Sequence, residues 1–226
     1  NKIQKVGYRI NPFIASVAKH FQEKGISIGK FIPIVEIPLP NKPIDIADNK
    51  DSRKRYRRQA AEVMNKNANA FRRSCRTRMT MEAVRRFSDK ERFYIPWSFD
   101  YRGRAYPIPA FLTPQDTDFG KSLLIFADAA RMTDKATEWL AFQCATTFGL
   151  DKSSMQERLD WVHNNIPLIT RVAVDPINNL GDWEASEEPW QFLAACEEYY
   201  SCVISQSRLT TRLCVATDAT CSGLQI

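Results

Sequence analysis

Late in the sequence, Leu213-Cys214-Val215-Ala216-Thr217 carries no charge and runs into Asp218, which the small residues Ala219, Thr220, Cys221, Ser222 and Gly223 follow. Five apolar or β-branched residues in a row predict a strand buried on both faces, with Asp218 at its end. A carboxylate in that place, with backbone carbonyls beside it and no bulky neighbour, suits a hard divalent cation such as magnesium. The same residues also suit a simpler role in which Asp218 caps the next helix. A hydrolase built on Cys221 or Ser222 is a weaker alternative, because no His stands nearby and the Gly-x-Ser-x-Gly turn is absent.

A second group is Phe99-Asp100-Tyr101-Arg102-Gly103-Arg104-Ala105-Tyr106. Arg102 and Arg104 are two apart, so an extended chain puts them on one face, which Tyr106 continues. Guanidinium groups clamp phosphates bidentately and a tyrosine ring offers a stacking surface, so this spacing suits a nucleic-acid backbone. An ion pair of Arg102 with Asp100 is the structural alternative. Upstream, residues 53–92 hold fourteen Lys/Arg against four Asp/Glu, a net of +10, in a chain whose total is +6. The rest of the chain is therefore slightly acidic. Positive charge concentrated in one stretch is the footprint of a polyanion. Arg72, Arg73, Arg76 and Arg78 are its candidate contacts, and a solvated pair of charged helices is the plainer alternative.

These groups need elements to hold them. Asn11, Pro12 and Gly25 bracket an amphipathic helix with Phe13, Ile14, Val17, Ala18 and Phe21 inward. Four prolines between 33 and 43 make the next segment an extended connector. Asp51 or Ser52 caps a helix reaching about residue 67, with Tyr56, Ala60 and Val63 on one face, and a further helix covers 75–87 with Met81, Val84 and Phe87 buried. Short strands at 93–96 and 104–108 flank the Asp100 turn. Residues 128–200 carry thirteen acidic against five basic side chains, so they do not line a nucleic-acid channel. Helices are predicted over 134–148, over 153–165 with a Ser153/Gln156 capping box, and from Pro189 past Tyr200. Trp139, Trp161, Trp183 and Trp190 read as core, and His20 and His163 as structural. The six cysteines form no Cys-x-x-Cys pair and read as reduced thiols. No apolar run approaches the ~20 residues that span a bilayer.

Residues 218–225, Asp-Ala-Thr-Cys-Ser-Gly-Leu-Gln, resemble the first palm motif of the single-subunit DNA-directed RNA polymerases of bacteriophages and mitochondria, Asp-Gly-Ser-Cys-Ser/Asn-Gly-Ile/Leu-Gln. Ala219 stands in place of the usual Gly, and Ile226 where a His commonly follows. Residues 99–106 resemble the same family's Asp-Trp/Tyr-Arg-Gly-Arg-Val/Ala-Tyr signature. The resemblance implies an α+β, mostly helical fold from a right-hand polymerase. Its parts would be the end of an N-terminal region and connector (1–50), thumb helices (51–92), the first part of the palm (93–127), a helical palm insertion (128–207) and the palm strand with its motif (208–226). It implies that Asp218 bridges two Mg2+ ions with the Ala219 carbonyl as an added ligand. It also implies that Arg102, Arg104 and Tyr106 meet template or hybrid, and that Lys121 matches a family lysine near nucleic acid, its plainer reading being a surface lysine. The partners would be a DNA template, the RNA product and ribonucleoside triphosphates, with no membrane. The setting would be intracellular, in the host cytoplasm for a phage enzyme and in a mitochondrion or plastid for an organellar one. The second metal-binding aspartate and the nucleotide-selecting fingers are expected beyond Ile226, so the stretch is expected to belong to a longer, monomeric chain and to be inactive alone. A nucleic-acid-binding module without catalysis, built on the basic helices, is the alternative.

Overall fold

The computed structural model describes residues 2–216, so Asp218, Ala219, Cys221 and Ser222 lie outside the described residues. Helix α1 (Pro12–Lys24) forms between the signals read from the sequence: the Asn11 side chain accepts from the amides of Phe13 and Ile14, and Gly25 closes the helix at φ 70°. A side chain at 25 would also crowd Val35, 2.7 Å away. After the extended connector comes α2 (Lys50–Arg73), capped by Asn49 rather than Asp51 or Ser52. The Ser52 hydroxyl is committed to Asp45 instead. α2 also runs past residue 67, because Asn67 faces the connector and exchanges hydrogen bonds of 2.9 and 2.8 Å with the backbone of Ile37. Only Ser52 of α2 is buried among its 24 residues, while Tyr56, Ala60 and Val63 form a half-buried stripe.

α3 (Cys75–Phe87) has the expected bounds, but Thr77, Thr80 and Val84 are its buried residues and Phe87 is exposed. The Thr77 hydroxyl takes the Ile32 amide at 2.9 Å, which turns that face inward. Strands β1 (Gly7–Ile10), β2 (Phe93–Tyr94), β5 (Leu124–Arg131) and β6 (Thr210–Leu213) form an antiparallel sheet in the order β2-β1-β5-β6. β3 (Trp97–Phe99) and β4 (Ala105–Pro107) pair as a separate hairpin. The strand expected at 213–217 is therefore displaced: β6 covers 210–213 and is exposed to half-buried rather than buried on both faces. Pairing with β5, not local apolarity, sets its limits.

The remaining helices are α4 (Asp118–Ser122), α5 (Asp134–Phe148), α6 (Met155–Asn164), α7 (Ile166–Val174) and α8 (Pro189–Tyr199), the last running into a π-helical turn at Tyr200–Ile204. The capping box of α6 is Ser154 with Glu157, one residue later than expected. The fold is thus α+β and mostly helical. Ten of the eleven residues of α8 are buried, and Trp190 at its start is ringed by Phe31, Phe119 and Trp183 at centroid distances of 5.0, 4.9 and 5.6 Å. Trp183 is equally buried and Trp161 packs on Phe148 at 4.5 Å, but Trp139 is 41% exposed and so departs from the core reading. His20 lies edge-on to Phe21 and His163 is exposed.

Helix α8 has no cap of its own; Asp118 serves it from a distance, accepting from the amides of Trp190 and Gln191, both at 2.9 Å. Burial nevertheless outweighs these donors and pushes the Asp118 carboxyl up to about 6. A carboxyl raised in the folded state binds its proton more tightly there than in the unfolded chain, so its contribution is full below about pH 4 and is lost as pH climbs through 6. The loss amounts to about 3 kcal/mol. Urea midpoints of the parent and Asp118→Asn compared between pH 4 and 7 should show this component only in the parent; parallel pH profiles would refute it.

Candidate nucleic-acid interface

The hairpin of β3 and β4 is shaped by Asp100. Its Oδ1 accepts from the amides of Arg102 and Arg104 at 2.8 and 2.9 Å, and Gly103 takes φ 78° to turn the chain. The same carboxylate lies 3.7 Å from the Arg102 guanidinium, the ion pair foreseen from the sequence. Arg104 is exposed and has no ion pair among the described residues. Tyr106 stands opposite Ser98 and is exposed between half-buried Ala105 and Pro107, so the pleat carries it on the face that Arg104 leads into. Phe99 and Tyr101, left without a role by the sequence reading, are 70% and 92% exposed, and the Arg102 guanidinium lies 5.1 Å from the Tyr101 ring centre. Their signal was an aromatic residue on either side of a turn acid.

Lys121 projects from α4, 3.8 Å from Glu188. It lines a cavity of about 180 Å³ with Tyr8, Phe126, Gln191, Cys214 and Ala216. An amine is thus placed beside the segment that runs, two residues later, into Asp218. Burial pushes the Cys214 thiol up to about 12, so it is no nucleophile at neutral pH.

The four arginines of the basic stretch divide into two pairs. Arg72 and Arg73, at the end of α2, are exposed and form no ion pair among the described residues. Arg76 is bound to Asp116, whose buried carboxylate also accepts from the amides of Leu112 (2.7 Å) and Thr117 (2.6 Å). Any side chain at Gly120 would overlap that carboxylate. Arg78 lies 3.8 Å over the Phe71 ring and reaches Ser74 Oγ at 3.3 Å. Elsewhere Glu82 takes Arg85 and Arg86, whose hydrogen bonds hold its carboxyl at about 2, while Glu62 takes Lys66 and Asp128 takes Arg92. Lys54, Arg55, Arg57 and Arg58, counted in the basic stretch but not singled out from the sequence, also lack ion pairs among the described residues. α2 therefore has a basic start and a basic end, about 22 Å apart from Arg57 to Arg72. Composition shows the stripe, whereas the pairing depends on acids distant in sequence.

The DNA-dependent RNA polymerase family matches residues 130–226. The mitochondrial DNA-directed RNA polymerase of Neurospora crassa is 30% identical over 224 residues, covering 98% of this chain and 16% of that protein. The DNA-directed RNA polymerase of Enterobacteria phage T3 is 30% identical over 231 residues, covering 100% of this chain and 25% of that protein. A chloroplastic and mitochondrial polymerase of Arabidopsis thaliana is 28% identical over 96% of this chain and 22% of its own length. The chain spans a quarter or less of the length of these relatives.

Proposed function

The chain belongs to the DNA-dependent RNA polymerases of the phage and mitochondrial type, and from that premise we propose that it supplies the nucleic-acid grip and one metal-binding acid of an enzyme that copies DNA into RNA. The observation that carries the reading is the cavity shared by Lys121 and Ala216, which sets a phosphate-seeking amine beside the segment leading to Asp218. In this reading 1–50 is the end of an N-terminal region and connector, 51–92 the thumb, 93–127 the start of the palm, 128–207 its helical insertion and 208–226 the strand that carries the acid.

Among the described residues no three His, Cys, Asp or Glu side chains are grouped to hold a metal ion. Asp218, with the Ala219 carbonyl, would hold magnesium, which when bound neutralises charge on the phosphates of the incoming ribonucleoside triphosphate. The chain's own side chains position the strands. Arg104 and Tyr106 offer a clamp and a ring to the template or hybrid, Arg102 stays partly engaged by Asp100, and Lys121 faces a phosphate near the acid. Arg72 and Arg73 grip the backbone further out, while Arg76 and Arg78 hold the helices that present them. One metal-binding acid does not make a two-ion site, so residues 1–226 alone should synthesise no RNA. No helix among the described residues is long and apolar enough to cross a membrane.

The test is salt dependence. If about five phosphates are neutralised, affinity for duplex DNA should fall with a log–log slope near −4 to −5, and Arg72→Ala with Arg73→Ala should flatten it by about two. A salt-insensitive signal, or none, would remove the thumb reading. Binding with this slope in an enzyme that does not need Asp218 would leave the non-catalytic module.

A further inference from the structure

Glu198 is a carboxylate inside α8, the most buried helix among the described residues. It is 5% exposed, and a charge so placed is costly unless its oxygens are filled. They are filled from one direction: Oε1 accepts from the Thr211 hydroxyl at 2.6 Å and the Arg212 amide at 3.0 Å, and Oε2 lies 3.1 Å from the Arg208 guanidinium. Thr211 Oγ1 in turn accepts the Leu213 amide at 3.2 Å, which extends the chain of bonds along β6. Among the described residues, the three donors to Glu198 all belong to β6 or to the loop before it.

β6 is also tied on its other side. The Arg212 guanidinium donates to the carbonyls of Phe126 (3.3 Å) and Ala127. These lie where the β5 to β6 register breaks, between Ile125 and Ala130, so the guanidinium ties the two strands across the gap in their ladder. A strand broken in this way has little regular pairing to fix its register, and a slip of one residue would move everything after it by about 3.3 Å.

We infer that Glu198 is a positioning residue that sets the register of the strand leading to Asp218, an inference that rests on reading Asp218 as the metal-binding acid. A displacement of about 1 Å at a reacting group can cost about a hundredfold in rate. In the full polymerase polypeptide, Glu198→Ala should lower kcat about a hundredfold with KM for ribonucleotides and affinity for template within twofold of the parent. Glu198→Gln keeps an oxygen for Thr211 and Arg212 and should restore at least about a third of the rate. Should Glu198→Ala not fold, Thr211→Val, which removes only the hydroxyl donor, should reduce kcat about tenfold. Parent kcat in Glu198→Ala or in Thr211→Val overturns the inference, as does a parallel fall of kcat and template affinity. Asp218→Asn assayed alongside separates the two claims. An active Asp218→Asn removes the reading of the acid itself, whereas an inactive one beside a fully active Glu198→Ala removes only the positioning role.

Discussion

Asp218→Asn in the full polymerase polypeptide should lower nucleotide addition by at least a thousandfold, while template affinity should stay within twofold of the parent. Asparagine preserves size and shape but removes the charge that would hold a divalent cation, so the loss should fall on the transition state, where negative charge on the phosphate is greatest. On the proposed reading, binding would depend instead on groups far along the chain, such as Arg72, Arg73 and the hairpin at Asp100. The measurement is single-turnover extension of an RNA primer annealed to DNA, with binding followed in parallel. Retention of more than about a tenth of the parent rate would assign Asp218 to helix capping, whose loss costs about 1 kcal/mol of stability and no chemistry.

Trp190→Ala is the substitution that the fold should tolerate least. The indole is fully buried among Phe31, Phe119 and Trp183, and its Nε1 donates to the Ile28 carbonyl at 3.3 Å. Truncation leaves a large cavity, worth about 3–5 kcal/mol, although the Ile28 carbonyl keeps the Phe31 amide at 2.9 Å. That is a large share of the ~5–15 kcal/mol that holds a typical domain. Trp139→Ala, at a ring that reaches solvent, should cost under about 1 kcal/mol. Denaturant midpoints of the two variants test the contrast, and equal shifts would contradict it.

Local signals made much of this fold legible. Asn11, Pro12 and Gly25 mark α1 without reference to anything distant, and Gly149 marks the end of α5 in the same way. β1 and β5 escaped because their pairing joins Tyr8 to Phe126, and nothing local announces a partner over a hundred residues away. β6 was misplaced for a related reason: its apolar continuation reads as strand, but its bonds come from β5 and Glu198. In the candidate interface, residue types revealed the arginines and aromatic rings. They could not reveal that Asp116 takes Arg76 out of the free set, because that acid is forty residues further on.

The near absence of buried side chains along α2 makes this helix a lever. It is a rod of about 36 Å whose fulcrum is the fully buried Ser74, next to the Arg76 and Asp116 pair. A tilt of about 10° at that fulcrum would carry the Lys54 to Arg58 end through about 4–5 Å, a little more than the rise of one nucleotide along a DNA strand. Mechanical advantage of this kind would turn a small adjustment at one ion pair into a displacement of about one nucleotide at the far end of the helix.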